Sequence, residues 1–349
     1  MIEEIINGVK YKLPESLSKF QKRLYVHLIN WKWSNITKEA GIHHYKGDEI
    51  LYDAILPESV HEQFTLIYKP ILQDLIKHRE LFEFKLHIHF YHMASSQAAN
   101  VNLFLPILLD SNANKVLKLL KPDFDSLATQ CLYKGFRIEF WDGNSTNEKG
   151  LLGDHNARSG TDSDIAIAYY NKNKELCLWL IEHKLTENEF TECGAFKSKG
   201  RDKTKHLCEK SFTEILANKN LCYYNDIRKF DYWNITETNK SFFINHDMQV
   251  SCPFIGGMNQ LWRNQMLGLA LENEGVYKHV YFSVVKHPEN TALDESIKQY
   301  KELVGDNPKF SVLTSSDILK AASTIGEEKL DEWIKWYKEL YYMELTKIE

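Results

Sequence analysis

Long apolar runs are missing from this 349-residue chain. The longest, LFLPILL at residues 103–109, falls far short of the roughly 20 residues that cross a bilayer. The opening MIEEIINGVKYKLPESL is acidic and broken by Gly and Pro, which speaks against a signal peptide. Cysteine is scarce: six residues with no C-x-x-C pair, which suits a reducing cytoplasm better than a disulfide scaffold. An excess of positive charge is absent too. The net charge of −5 argues against a general nucleic-acid coat but leaves room for a local basic groove. No Walker phosphate loop, strand-linked G-x-G-x-x-G, G-x-S-x-G or H-E-x-x-H occurs, which speaks against ATP-driven translocation within this chain. Internal repeats and low-complexity tracts are also lacking.

What is present builds a core. Hydrophobic residues make up 43% and aromatics 13%, enough to bury a sizeable interior. Residues 1–92 read as mainly helical. The segment SLSKFQKRLYVHLINWKW has helical spacing behind a Ser, and HEQFTLIYKPILQDLIKHRELFEF reads as one or two helices interrupted near Pro70. After the alternating FKLHIHFYH, Ser95 is an N-cap candidate for SSQAANVNLFLPILL, and DSLATQCLYKG reads as a helix ending at Gly135. The period then changes to two. FRIEFW, DIAIAYY and ELCLWLIEHK are strand candidates, the last two joined by the polar turn NKNK. Residues 185–257 form an insert too long for an ordinary loop. A helix, NQLWRNQMLGLALENEG, and a strand, YKHVYFSVV, follow it. Three helix candidates then lie near residues 293–304, 315–324 and 327–345. The expected architecture is α/β: a core at 93–290 carrying the insert 185–257, with helical additions at 1–92 and 291–349.

Strand alternation puts Leu176, Leu178, Leu180, Glu182 and Lys184 on one face of ELCLWLIEHK and Cys177, Trp179, Ile181 and His183 on the other. Folding back through NKNK brings Asp164 opposite either Ile181 or Glu182, depending on a one-residue register choice. Two carboxylates and an ammonium at a sheet end have a chemical use. Hard oxygens suit Mg²⁺, which activates water and neutralises an attacked phosphate. A neighbouring lysine orients that water or stabilises the pentavalent state.

Asp164 followed by Glu182-His183-Lys184 across a short hairpin resembles the PD-(D/E)XK nuclease superfamily, over about residues 95–285. The resemblance implies a restriction-endonuclease-like α-β-β-β-α-β core with a mixed central sheet. It also implies Mg²⁺ or Mn²⁺ held by Asp164 and Glu182, Lys184 acting on the water, and scission of DNA leaving a 5′-phosphate. No Pro precedes the acid; TDSD stands there, so Asp162 rivals Asp164.

On the helix beginning at Asn259, Gln260, Arg263 and Asn264 share a face at helical spacing, with Trp262, Met266, Leu269 and Ala270 on another. Gln260 and Arg263 resemble the superfamily's auxiliary residues, and Arg263 has the planar fork to clamp a phosphate. Gln97, Asn100 and Glu139 are further candidates near the metal. Cys193, Cys208, Cys222 and Cys252 offer thiolates for Zn²⁺ or an iron–sulfur cluster. Buried unpaired thiols are the rival reading. Lys197, Lys199, Arg201, Lys203 and Lys205 form a basic run suited to a nucleic-acid backbone, or simply a solvated loop. His87, His89 and His92, like His43 and His44, show no complete ligand set.

The expected function is therefore a metal-dependent nuclease acting on DNA, with restriction or defence as the biological setting. A homodimer or a defence-system protein is the expected partner, and the cytoplasm the expected location, with no membrane. The alternatives are a nucleic-acid- or partner-binding module that keeps the fold without turnover, and an RNA-directed nuclease.

Overall fold

A capping box starts the first long helix. The Ser18 hydroxyl accepts from Gln21 N (3.2 Å) and the Gln21 side chain accepts from Ser18 N (3.0 Å), the reciprocal arrangement that S-x-x-Q encodes. The computed structural model describes the chain except residues 46–47, 83, 142–147, 157–159, 198–207 and 342–349.

Two antiparallel hairpins flank α1 (Lys19–Asn35): β1 (Ile2–Ile6) with β2 (Val9–Leu13), and β3 (Gly41–Tyr45) with β4 (Asp48–Tyr52). The sequence reading had this region as mainly helical. The hairpins bury only Tyr11, Leu13 and Tyr52 with their neighbours against α1, so their alternation is incomplete. Next come α2 (Leu72–Phe82), α3 (Ser96–Leu108), α4 (Ala113–Leu120), β5 (Phe124–Leu127), β6 (Phe136–Phe140), β7 (Ser163–Asn171) and β8 (Leu176–Lys184). Among its described residues the insert holds short α-helices only: α5 (Gly194–Lys197), α6 (Phe212–Ala217), α7 (Tyr223–Asp226) and α8 (Tyr232–Thr238). Then follow α9 (Met258–Asn273), β9 (His279–Lys286), α10 (Asp294–Val304), β10 (Phe310–Thr314), α11 (Ser315–Ser323) and α12 (Glu328–Tyr341).

The central sheet is mixed and six-stranded, in the order β10-β9-β8-β7-β5, with β6 on the same edge of β7 as β5. β8, β9 and β10 run parallel, and β7 is antiparallel to β8, β5 and β6. Three segments differ from the sequence reading. FKLHIHFYH, which alternates in sequence, forms turns, because its backbone is tied locally and to the Gln97 side chain. DSLATQCLYKG contributes the end of β5 and a turn rather than a helix. β10 is a half-exposed edge strand too short to show a period.

Apolar cores lie on both faces of the sheet. One packs Trp179, Ile181, Ile165 and Ile167 against α3, α11 and α12. The other packs Leu178, Leu180, Ala166 and Ala168 against α6, α8, α9 and α10. Burial on both faces accounts for the unbroken apolar strands. α3 is buried along nearly its whole length, so its polar residues need partners. Ser95 caps it by accepting from Ala98 N (3.2 Å), and Asn102 bonds Leu66 O, Tyr341 Oη and Tyr68 N.

Lys32 is fully buried on α1, and its Nζ donates to Glu39 O (2.6 Å), Asp53 O (2.8 Å) and Ile55 O (3.0 Å). Burial pulls its pKa down to about 8, opposed by Asp53 and Glu39. Lys32→Ala strips three carbonyls of their donor, and the expected loss is about 3 kcal/mol. Urea melts of the two proteins measure it; an unchanged midpoint would show that the clamp contributes nothing.

Candidate active site

The site begins at a turn. Asn171 Oδ1 accepts from Asn173 N and Glu175 N (2.9 Å each), and Asn171 N donates to Glu175 O (3.0 Å). This side-chain-tied turn makes Tyr170 pair with Leu176 and Ile165 with Ile181. One step further along the same register sets Asp164 opposite Glu182, which decides between the two registers open to the sequence. Across the other edge of β7, the pairs Ile138–Ile165 and Phe140–Ser163 bracket Glu139 opposite Asp164. Glu139, Asp164 and Glu182 thus form one row across three adjacent strands.

The ladder ends here and side chains replace it. Ile181 N donates to Ser163 Oγ (2.9 Å) and His183 N to Asp164 Oδ2 (2.6 Å). From α3, Asn100 Nδ2 reaches Asp164 O (3.0 Å). Glu139 sits in the left-handed region (φ 50°), a conformation uncommon for a residue with a Cβ. It breaks the alternation of β6, so Ile138 joins the core facing α3 while Phe140 joins the opposite one. Gln97 holds its carboxylate, with Nε2 at 2.8 Å from Glu139 Oε1.

Glu182 and Lys184 are 4% and 8% exposed. Lys184 Nζ lies 2.8 Å from Glu182 Oε1, and α9 supplies two amide donors: Gln260 Nε2 to Oε1 (2.6 Å) and Asn264 Nδ2 to Oε2 (2.7 Å). Burial opposes charge on Lys184, but Glu182, Glu187 and Asp164 outweigh it and hold the ammonium above its usual range. Burial and then the charges of Glu182 and Glu139 push Asp164 well above the carboxylate range. Glu139 is raised to about 8, chiefly by burial, with Gln97 opposing and Asp162 and Glu182 adding to it. One ammonium does not offset three ionised carboxylates, so Asp164 and Glu139 hold their protons to higher pH than an ordinary carboxyl.

These groups line a cleft of about 1330 Å³ together with Gln97, Asp162, His155 and Trp141. Asp162 pairs with His155 (2.7 Å), whose ring stacks on Trp141. His43, His87, His89 and His92 line another wall of it. Among the described residues no three His, Cys, Asp or Glu side chains stand ready to enclose a metal ion. Asp164 and Glu182 offer two hard carboxylates, and Mg²⁺ commonly needs no more from a protein, since it keeps several waters.

Arg263 points elsewhere. Its Nε and Nη2 bond Thr161 Oγ1 and Gly160 O (2.9 Å each), bracing the loop that enters β7. Asn264, placed on the same helix face by spacing, instead grips Glu182. Glu139 was visible as an acid on a strand, but its left-handed backbone and its place in the row have no sequence signal. Cys193, Cys208, Cys222 and Cys252 lie in the insert, none of them in a disulfide, and they form no metal-holding group among the described residues. Lys199, Arg201, Lys203 and Lys205 lie outside the described residues, and Lys197 ends α5. No helix among the described residues is long and apolar enough to cross a membrane.

A family model described as Restriction Endonuclease associating with ARP matches residues 29–342. No curated protein and no solved structure gives a significant match to the chain.

Proposed function

The chain belongs to the family described as Restriction Endonuclease associating with ARP, and we propose that it is a metal-dependent nuclease of the PD-(D/E)XK type that cuts DNA in partnership with an ARP protein. The observation that carries this reading is the Glu139–Asp164–Glu182 row with Lys184 bonded to its last member. The chain order α3, β6, β7, β8, α9, β9 supports a restriction-endonuclease-like core, with α4 and β5 added between α3 and β6.

Asp164 and Glu182 would hold Mg²⁺ or Mn²⁺. Bound there, the cation supplies charge neutralisation at the phosphate and a more acidic water. Gln260 and Asn264 fix both oxygens of Glu182, so its carboxylate does not have to reorganise on binding. Lys184 places a positive charge beside the same carboxylate, where it orients the attacking water and stabilises charge developing on the phosphate. Asn100 and the His183 amide orient Asp164, and Gln97 turns Glu139 toward the cleft.

The test is incubation of the purified chain, with and without its ARP partner, with plasmid, linear duplex, single-stranded DNA and RNA in Mg²⁺, Mn²⁺ or EDTA. Duplex cutting that EDTA stops supports the proposal, and RNA cutting alone would make RNA the substrate. DNA retention without cutting under every condition would leave a binding module. Asp164→Asn is expected to slow cutting roughly a thousandfold, whereas Asp162→Asn, which loses a partner of His155, should cost less than about tenfold. The reverse order would move the metal ligand to Asp162.

A further inference from the structure

The cleft is poorly furnished for a duplex. Among the described side chains that line it, two lysines, Lys85 and Lys184, stand against six carboxylates. Duplex DNA is held chiefly by cations on its phosphates, and its grooves present base edges rather than base faces. At about 1330 Å³ the cleft is only a little larger than a pocket for one small ligand. What it offers in place of cations is rings.

Those rings sit on a turn fixed to the carboxylate row. One side chain, Gln97, makes three bonds that hold it: Oε1 accepts from His87 N (2.8 Å), and Nε2 donates to Lys85 O (3.1 Å) and Glu139 Oε1 (2.8 Å). Within the turn, His89 N donates to His87 Nδ1 (3.2 Å) and Phe90 N to His87 O (2.8 Å). The turn so held leaves His87, Ile88 and His89 exposed at the cleft. The His89 ring lies 5.2 Å from that of His87 and 6.0 Å from that of His43 on β3. Partial burial lowers the pKa of His87, opposed by Glu187 and reinforced by Lys184. Partial burial, then His87 and His43, lowers that of His89. Both imidazoles are therefore uncharged at neutral pH and act as aromatic surfaces rather than as cations. Tyr52, 3% exposed, packs beside them, 6.2 Å from the His43 ring and 5.2 Å from that of His92. Its hydroxyl is buried with no hydrogen-bond partner among the described residues, a cost that a purely structural wall has no reason to carry.

We propose, on the footing of the nuclease reading above, that the cleft takes an unpaired DNA strand, with one base stacked among His43, His87 and His89 and a phosphate at the Asp164–Glu182 pair. Base faces are open to rings only where a strand is unpaired, and stacking on rings gives affinity without further lysines. Ile88 adds apolar surface beside the base. The base edge supplies the acceptor for the Tyr52 hydroxyl once the rings part to admit it. A blunt duplex must first release a base from its stack and its pairing before it can enter.

The experiment measures binding to the full chain in Ca²⁺ by fluorescence anisotropy, with a single-stranded oligonucleotide, the blunt duplex of the same sequence, and that duplex carrying a single-stranded overhang. The single strand and the overhang are expected to bind roughly tenfold tighter than the blunt duplex, and an abasic site moved along the single strand should weaken binding roughly tenfold at one position. His89→Ala should weaken single-strand binding about tenfold without changing its salt dependence, since the ring contributes stacking rather than charge. His44→Ala, on the outward face of β3, should change nothing. Tyr52→Phe should weaken binding several-fold without lowering the melting temperature, a separation that a structural role for the hydroxyl does not give. Equal affinity for single strand and blunt duplex, indifference to every abasic position, an unchanged affinity in His89→Ala, or no binding of any form would overturn the proposal. Single-stranded RNA bound in preference to DNA would overturn the DNA assignment. If His89→Ala fails to fold, the abasic series on the unmodified chain decides. Cutting is not the readout: EDTA-sensitive cutting with no preference for unpaired DNA sinks this proposal alone, and a preference for unpaired DNA without cutting sinks the nuclease reading alone.

Discussion

Lys184→Ala is expected to lower metal-dependent DNA cutting by at least about a thousandfold while changing DNA retention only a few-fold. The ammonium is nearly buried and bonded to Glu182, itself nearly buried, at 2.8 Å. Its charge is therefore little screened and lies where a scissile phosphate would meet the carboxylates. The substitution also has a structural cost. Glu182 keeps the two amides of Gln260 and Asn264 but loses its ion pair with Lys184. Breaking a buried pair from one side costs about 3–5 kcal/mol. The two effects separate in Lys184→Arg, which keeps the charge but not the compact geometry. It should recover most of the thermal stability and little of the rate. Nicking assays and melting curves on both variants read these outcomes. Lys184→Ala cutting at the unmodified rate would remove Lys184 from the mechanism.

Acidification from about pH 6.5 to pH 4 is expected to remove the stabilising contribution of two enclosed histidines, opposed over the same range by the raised carboxyls of Asp164 and Glu139. The His78 ring stacks on Phe136 (5.4 Å, 7°), and its Nε2 accepts a hydrogen bond from Ile138 N (3.3 Å), so that nitrogen must be unprotonated. Burial, with Arg137 alongside, lowers its pKa to about 4. His287 is lowered to about 4 by burial, opposed by the Tyr341 carbonyl and reinforced by His183, Lys286 and Arg23. For both, the folded pKa lies below the unfolded value of 6.5. The unfolded chain then binds more protons in that window. Their contribution is complete above pH 6.5 and is lost as pH falls toward the folded pKa. Each shift corresponds to a loss on the order of 3 kcal/mol once the window is crossed, and two such losses rival the whole stability of a typical domain, about 5–15 kcal/mol. Urea midpoints at pH 7.5 and pH 5 measure the slope. His78→Gln, which keeps an acceptor without titrating, should lose less between the two pH values than the unmodified chain, and an equal loss in both would show that this ring does not carry the effect.

Much of the site could be read along the chain because the relevant interactions are local. Glu182 and Lys184 share a strand face by the twofold alternation of β structure, and Asp164 lies one tight turn away. Gln260 and Asn264 share a face because residues four apart on a helix are neighbours. The Ser95 cap declared itself in the same way, through a contact three residues long. Elements without such short-range signatures were missed. β10 is an edge strand with few buried side chains, and the first hairpins bury too little for their period to stand out.

Other features of the site depended on chain segments far apart in sequence. The register between β7 and β8 was open until Asn171 was seen to tie the turn with its side chain. Arg263 and Asn264 look equally available on their helix, yet one braces Thr161 and the other holds Glu182. Glu139 enters the row through a left-handed backbone that no residue type announces. The division has one physical cause. Alternation, capping and helical spacing follow from steric and hydrogen-bonding rules spanning a few residues, and those are written along the chain. Which distant charge faces which, and how deeply each is buried, depends on packing both faces of the sheet at once, and that packing exists only in the folded molecule.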